Sequence, residues 1–210
     1  MILKNKIIIF DLWQTLADST LKPSSLFDEL SLSDTKIARK EFLRYLFQSD
    51  LYLEDVSLEE GMKSFLSSLG IYNKDNLKKS VSLWKEMSQK SFLFDGAEKL
   101  LSALKADGHI LCLLTNIDKY GYENFPYKNI LKYFDYQFLS YSHCLKKPDI
   151  KCWEAIKNHC KAEYENMIMI GDSPEDDILP AKSLGLKTIL INKNKGVNLY
   201  DEIHDTFINN

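Results

Sequence analysis

Short apolar runs, each broken by a polar residue, constrain this chain more than any other feature. "IIIF" precedes Asp11, "ILCLL" precedes Thr115, "MIMI" precedes Gly171 and Asp172, and "TILI" stands near the end. Such runs, rich in Ile and Leu and without polar alternation, fit strands buried on both faces. Helical patterns lie between them. "DGAEKLLSALKADG" puts Ala97, Leu100, Leu101 and Leu104 on one face, and Gly108 is placed to end that helix in a left-handed cap. "PDIKCWEAIKNHC" repeats the spacing with Ile150, Trp153, Ile156 and Cys160, and "DDILPAKSLG" does so with Ile178, Ala181 and Leu184 before Gly185. Strands alternating with helices predict an α/β fold, a Rossmann-like parallel sheet covered on both sides. Ligands bind such sheets beyond the carboxyl ends of the strands. Asp11, Thr115 and Asp172 each follow an apolar run directly, so the pattern brings all three to one edge.

Residues 18–91 read differently. They hold no strong strand run but several helical patterns: one after Ser33-Asp34 through Phe42, Tyr45 and Leu46, and one at "SLEEGMKSFLSSLG", where Ser57 and Glu60 make a capping box. A third, "DNLKKSVSLWKEM", carries Leu77, Val81 and Trp84. The expected division is a core of residues 1–17 and 92–210 with an all-helical lobe, residues 18–91, inserted after the first strand. A lobe entering there is well placed to close over a site as a cap. The polar tail after Asn192 offers one short helix, through Leu199 to Phe207.

Composition narrows the functions open to such a fold. Twenty-seven basic residues nearly cancel thirty acidic ones, so no field recommends nucleic acid or an anionic membrane. No apolar stretch approaches the roughly 18 residues of a membrane helix. "MILKNKIIIF" reaches Asp11 too soon for a signal peptide and lacks a small-residue cleavage site, so a cytoplasmic protein is expected, a monomer or homodimer. Cys112, Cys144, Cys152 and Cys160 form no C-x-x-C pair. His143-Cys144 and His159-Cys160 raise the idea of zinc, but structural zinc ligands come in closely spaced pairs on turns. Reduced thiols are expected, with Cys112 in the core.

With these residues in hand, the chain resembles the haloacid dehalogenase (HAD) superfamily, whose hydrolases are mostly phosphatases. Four motifs stand in that family's order. The first, apolar residues and then D-x-D-x-T, is matched by "IIIFDLWQTL" except at Trp13 and at Gln14, commonly Gly. The second, a strand ending in Thr or Ser, is matched by "LLTN"; the third, a Lys before Pro, by "KKPDIKCW"; the fourth by "MIMIGDSPEDDILPA".

The resemblance implies roles residue by residue. Asp11 would attack phosphorus and form an aspartyl-phosphate. Magnesium held by Asp11, Asp172 and the backbone carbonyl of Trp13 would neutralise charge on a small phosphorylated substrate. Lys147 would neutralise the nucleophile and phosphate, while Thr115 and the Asn116 amide would hydrogen-bond the phosphoryl group. In the outer shell, with Ser173, Asp177 would hold a metal-bound water or orient Lys147, and Asp176 competes for that role. The alternative for the "PEDD" run is capping of a helix N-terminus by acids. Lys146 reads as a surface lysine. Tyr45, Phe47, Tyr52 and Trp84 would line the site or, preferably, pack the lobe.

Trp13 is the departure that matters. In family phosphatases the second Asp of the first motif protonates the leaving oxygen and then activates water. Indole can do neither. Such acid–base help is typically worth about 10²–10⁴-fold, or about 3–5 kcal/mol of barrier. Three readings follow: a phosphatase for substrates with good leaving groups, such as acyl or aryl phosphates; a metal-independent 2-haloacid dehalogenase, since halide leaves without a proton; or a weakened protein that binds phosphate ligands. Asp172 argues against the dehalogenase, because a second unneutralised carboxylate would repel an anionic substrate. The phosphatase is the preferred reading.

Overall fold

The computed structural model describes residues 6–191, 198–201 and 203. From the N-terminus, β1 (Ile7–Phe10) and the short β2 (Ala17–Ser19) lead into five helices: α1 (Ser25–Glu29), α2 (Arg39–Phe47), α3 (Asp50–Leu53), α4 (Leu58–Ser68) and α5 (Lys74–Gln89). The chain returns through β3 (Ser91–Leu93), α6 (Ala97–Ala106), β4 (Ile110–Thr115), α7 (Lys119–Glu123), β5 (Tyr136–Leu139) and α8 (Ser140–His143). It closes with α9 (Lys151–Cys160), β6 (Met167–Gly171), α10 (Leu179–Ser183) and β7 (Lys187–Leu190).

Five strands form one parallel sheet in the order β5-β4-β1-β6-β7. The fold is the expected α/β, Rossmann-like arrangement. Its central strand reads apolar throughout because both faces are covered. Ile8 and Phe10 join Leu100, Leu101 and Leu104 of α6 in one buried cluster, while Ile7 and Ile9 join Trp153 and Ile156 of α9 in another. Strand alternation sends neighbouring residues to opposite faces, so four apolar residues in a row serve two cores at once.

β2 and β3 pair antiparallel, Ala17 opposite Leu93 and Ser19 opposite Ser91, as a separate ribbon. The helices between them bury a third cluster around Phe42, Leu46, Met62, Phe65 and Trp84. Ser57 caps α4 with the full reciprocal box read from sequence. Gly108 takes φ of 83° just beyond α6, as its place after the last apolar turn requires.

Several local expectations change. The helix expected after Ser33-Asp34 starts later, at Arg39, because Leu32–Asp34 form a separate 3₁₀ turn. Ile150 is exposed, since it stands at the N-cap of α9, before the buried stripe begins. The "PEDDI" stretch is a wide π-type turn that precedes α10 rather than its first turn. β5 has no pure apolar run and was not visible as a strand; both it and β7 are edge strands with half-exposed residues. The tail is helical at Leu199–Asp201 and at Ile203, and the remainder of the expected segment to Phe207 lies outside the described residues. No described helix is long and apolar enough to cross a membrane.

Candidate active site

The carboxyl edge of the sheet brings the expected residues together. Asp11 follows β1 directly, Thr115 ends β4, and Asp172 follows β6. Asp11 is buried; its N–H donates to Ile170 O at 3.0 Å, which prolongs the β1–β6 pairing by one residue. Lys147 arrives from the loop before α9. Its Nζ donates to Asp11 Oδ1 and Asp177 Oδ1, both at 2.6 Å, and it is only 4% exposed. Thr15, the Thr of the first motif and not assigned a role from sequence, donates its hydroxyl to Asp11 Oδ2 at 3.0 Å.

The side chain of Asn116 fixes that lysine. Its Oδ1 accepts the Lys147 N–H at 2.9 Å and its Nδ2 donates to Lys147 O at 3.0 Å, beside a cis Lys147-Pro148 bond. Asp177 rather than Asp176 meets Lys147. The wide turn carries Asp177 back over the strand end, where its Oδ2 accepts Ser173 N–H at 3.0 Å. Ser173 also caps this turn through the Asp176 N–H. Gly171 is demanded by this packing, because a Cβ there would lie 2.3 Å from Asp177 Oδ2. Asp176 is half-buried on the cavity wall instead.

Charge in the cluster is set by burial. Desolvation pushes the Asp11 carboxyl up to about 7, with Lys147 opposing and Asp177 and Asp172 assisting. Burial alone would lower the Lys147 ammonium, but the two carboxylates hold it above its ordinary value. Carboxylate oxygens of Asp11, Asp172 and Asp177 all lie within 4.8 Å of one another. Among the described residues this is the one group of three or more acids, histidines or cysteines that could hold a metal. Oxygen donors of this kind suit a hard divalent cation such as Mg²⁺. Thr115 Oγ1 is buried at the neighbouring strand tip without a protein hydrogen-bond partner. No His–Cys group gathers among the described residues; Cys112 Sγ and Cys160 Sγ lie 3.6 Å apart as free thiols.

A cavity of about 660 Å³ opens above the cluster. Trp13 and Asp118 wall its core side; Arg44, Phe47, Tyr52, Trp84 and Met87 wall it from the helical lobe. Trp13 is half-buried, its indole edge-on to Phe125 with centroids 5.8 Å apart. Gln14 beside it holds φ of 63°, the left-handed backbone that explains why Gly is common there. Of the four aromatics considered from sequence, Phe47, Tyr52 and Trp84 pack the lobe's apolar cluster, as preferred, and also line the cavity, while Tyr45 is exposed outside it. Sequence reasoning missed Asp118, a buried carboxylate accepting Trp84 Nε1–H at 3.1 Å and Gly121 N–H at 2.8 Å. The available signal was an Asp three residues before Gly, next to "TN". Lys146 also departs from expectation: it is half-buried on the cavity wall, not a surface lysine.

A parallel sheet that delivers acids from adjacent strand tips to a buried lysine defines an α/β protein with a ligand site at its carboxyl edge. Residues 5–185 match the sequence profile of the haloacid dehalogenase-like hydrolases, and the chain belongs to that family. No curated protein sequence matches this chain. Among solved structures it is similar to a HAD phosphatase from Thermococcus onnurineus, with 22% identity, TM-score 0.62, and coverage of 90% of this chain and 87% of that one. It is similar also to a HAD-family enzyme of Bacteroides thetaiotaomicron in complex with magnesium and inorganic phosphate, at 19% identity and TM-score 0.67, covering 91% and 96%. A 2-haloacid dehalogenase from Pseudomonas syringae matches at 17% identity and TM-score 0.61, covering 95% and 97%. At these identities the likeness establishes the fold.

Proposed function

We propose that the chain is a Mg²⁺-dependent phosphohydrolase for a small phosphorylated metabolite with a good leaving group. The carrying observation is the buried contact of Lys147 with both Asp11 and Asp177, beside a third carboxylate and the unpartnered Thr115 hydroxyl. With a divalent cation added to Lys147, the positive charge at such a cluster would offset the three carboxylates and suit a phosphoryl dianion. Two neighbours of the same fold support the reading: the phosphatase, and the enzyme that binds magnesium and phosphate.

In this reading Asp11, Asp172 and the Trp13 carbonyl would hold Mg²⁺, which would supply neutralisation of phosphoryl charge. Asp11 would attack phosphorus as the bond to the leaving oxygen breaks, giving the aspartyl-phosphate; water would then cleave that acyl phosphate, restoring the Asp11 carboxylate and giving its proton to the released phosphate. Lys147 stabilises the nucleophile and the phosphoryl oxygens, and Asp177 holds Lys147 in place. Thr115 Oγ1 and the Asn116 N–H hydrogen-bond the phosphoryl group, while the Asn116 side chain fixes the lysine loop. Ser173 and Asp176 shape the turn that presents Asp177. Residues 18–91 act as the cap, which excludes water from the cavity they roof.

The Trp13 indole supplies wall rather than acid, so the leaving group departs without a proton from that position. Dehalogenation is disfavoured because three carboxylates crowd one point. The test is phosphate release from aryl phosphates of rising leaving-group pKa, with and without Mg²⁺. We expect release that needs Mg²⁺, vanishes in Asp11→Asn, and falls steeply as leaving-group pKa rises; Trp13→Asp should flatten that fall. Metal-independent chloride release from 2-chloropropionate would instead assign the dehalogenase. Phosphate-analogue binding without turnover on any leaving group would assign a binding protein.

A further inference from the structure

Lys146 lies next to the buried Lys147 but reaches the opposite way, towards the helical lobe. Its Nζ donates to Phe47 O, the last carbonyl of α2, at 2.8 Å. An ammonium carries three N–H donors, and a carbonyl takes one. Among the described residues no carboxylate lies within ion-pair distance of it, although Asp176 is near enough to favour its charge. Half-burial disfavours that charge and lowers its pKa. A partly desolvated cation held by one neutral acceptor is an expensive arrangement unless an anion completes it.

A second cation lines the same cavity from α2, the helix that ends at Phe47. Arg44 stands one turn before Phe47 and Gln48 on α2, and all three line the cavity. Its guanidinium rests 4.8 Å from the Tyr45 ring centroid and only loosely meets Glu41, at 3.6 Å between exposed side chains. Of the other two cations lining the cavity, Lys147 is bound to Asp11 and Asp177, and Lys22 is paired with Asp18. Lys146 thus keeps donors to spare, Arg44 is held only by a long ion pair and an aromatic face, and both line the cavity beside Phe47 of the lobe.

We infer that Lys146 and Arg44 receive a second anionic group, a carboxylate carried on the leaving part of the substrate. This rests on the phosphohydrolase reading, in that Asp11 and its neighbours take the phosphoryl end. The substrate class becomes a phosphorylated carboxylic acid, held by its phosphoryl group at Asp11 and by its carboxylate at Lys146 and Arg44. Lys146 acts here as a specificity-determining residue; the reacting phosphorus is left to Lys147.

The test compares binding of phosphonopropionate and carboxyphenylphosphonate with that of their neutral carboxamides, by titration calorimetry with Mg²⁺ present. Phosphonates are not hydrolysed, so recognition is read apart from turnover. The wild-type protein should prefer at least one carboxylate over its amide by about 10-fold or more, the worth of a charge-assisted hydrogen bond. That ratio should fall towards one in Lys146→Met and shrink in Arg44→Gln. Lys146→Gln, which keeps a donor for Phe47 O, serves if the methionine variant fails to fold. Equal binding of acids and amides, or a preference that survives loss of Lys146, overturns the inference. Turnover of an activated aryl phosphate without carboxylate preference would leave the hydrolase reading intact and sink this one alone. Carboxylate preference without any turnover would do the reverse, and no phosphonate binding would sink both.

Discussion

At the scale of single residues, the behaviour of Asp11 sets the conditions under which the site is ready. Its carboxyl is lifted to about 7 from an ordinary 3.8, chiefly by burial. Between those values the folded chain keeps a proton that the unfolded chain has lost. The Asp11 contribution to stability is therefore fully present below about pH 4 and declines as pH rises through about 7. A divalent cation must displace that proton, so Mg²⁺ affinity should weaken several-fold for each unit of pH below about 7 and level off above it. Calorimetric titration of Mg²⁺ at pH 5.5, 6.5 and 8 reads this directly, and an affinity flat across that range would contradict it. Thr15 and Lys147 occupy both oxygens of Asp11. The carboxylate proposed as nucleophile is thus held in one orientation by the fold itself.

At the scale of elements, the tip of β6 shows how tightly sequence and site are joined. Gly171 ends the strand so that Asp177 can fold back against it, and a methyl group there would overlap the carboxylate. Gly171→Ala should displace Asp177 from Lys147, weaken Mg²⁺ binding by at least about 10-fold, and cost about 1–3 kcal/mol of stability by overpacking. Calorimetry and denaturant unfolding measure the two effects, and an alanine variant with unaltered Mg²⁺ affinity would show that the turn yields easily. The elements legible in the sequence were those with a single consistent period: β1, β4 and β6 as pure apolar runs, α6 as a clear stripe. Edge strands were harder. β5 mixes Tyr136 and Gln137 with Phe138 because only one of its sides is paired, so no run announces it. Strand tips made Asp11, Thr115 and Asp172 readable. Lys146 and Asp118 were not, because their directions depend on contacts between elements distant in sequence.

At the scale of the molecule, the lobe and the sheet meet through polar contacts as well as packing. Trp84 Nε1–H donates to buried Asp118, Ser88 Oγ–H donates to Asn124 O, and Lys146 reaches Phe47 O. Asp118 has its pKa raised chiefly by burial, so its partners matter to it. Trp84→Phe keeps most of the packing but removes one donor from the buried carboxylate, at a cost of about 1–3 kcal/mol. Denaturant unfolding should show that loss; a midpoint equal to the wild type would mean that water takes the vacant position. The same substitution touches a wall of the cavity, so the way the lobe is seated and the shape offered to substrate are one design problem.

The β2–β3 ribbon carries a consequence for how such a protein can change. Entry and exit of the helical segment lie side by side, Ser19 opposite Ser91, joined by backbone pairing. To the parallel sheet, everything between them is equivalent to the loop of a hairpin. Residues 20–90 could then be exchanged as a cassette for another roof, or trimmed to a tight turn, without re-threading a strand of the sheet. Selectivity would be inherited through that graft, while the chemistry beneath it stayed where it was.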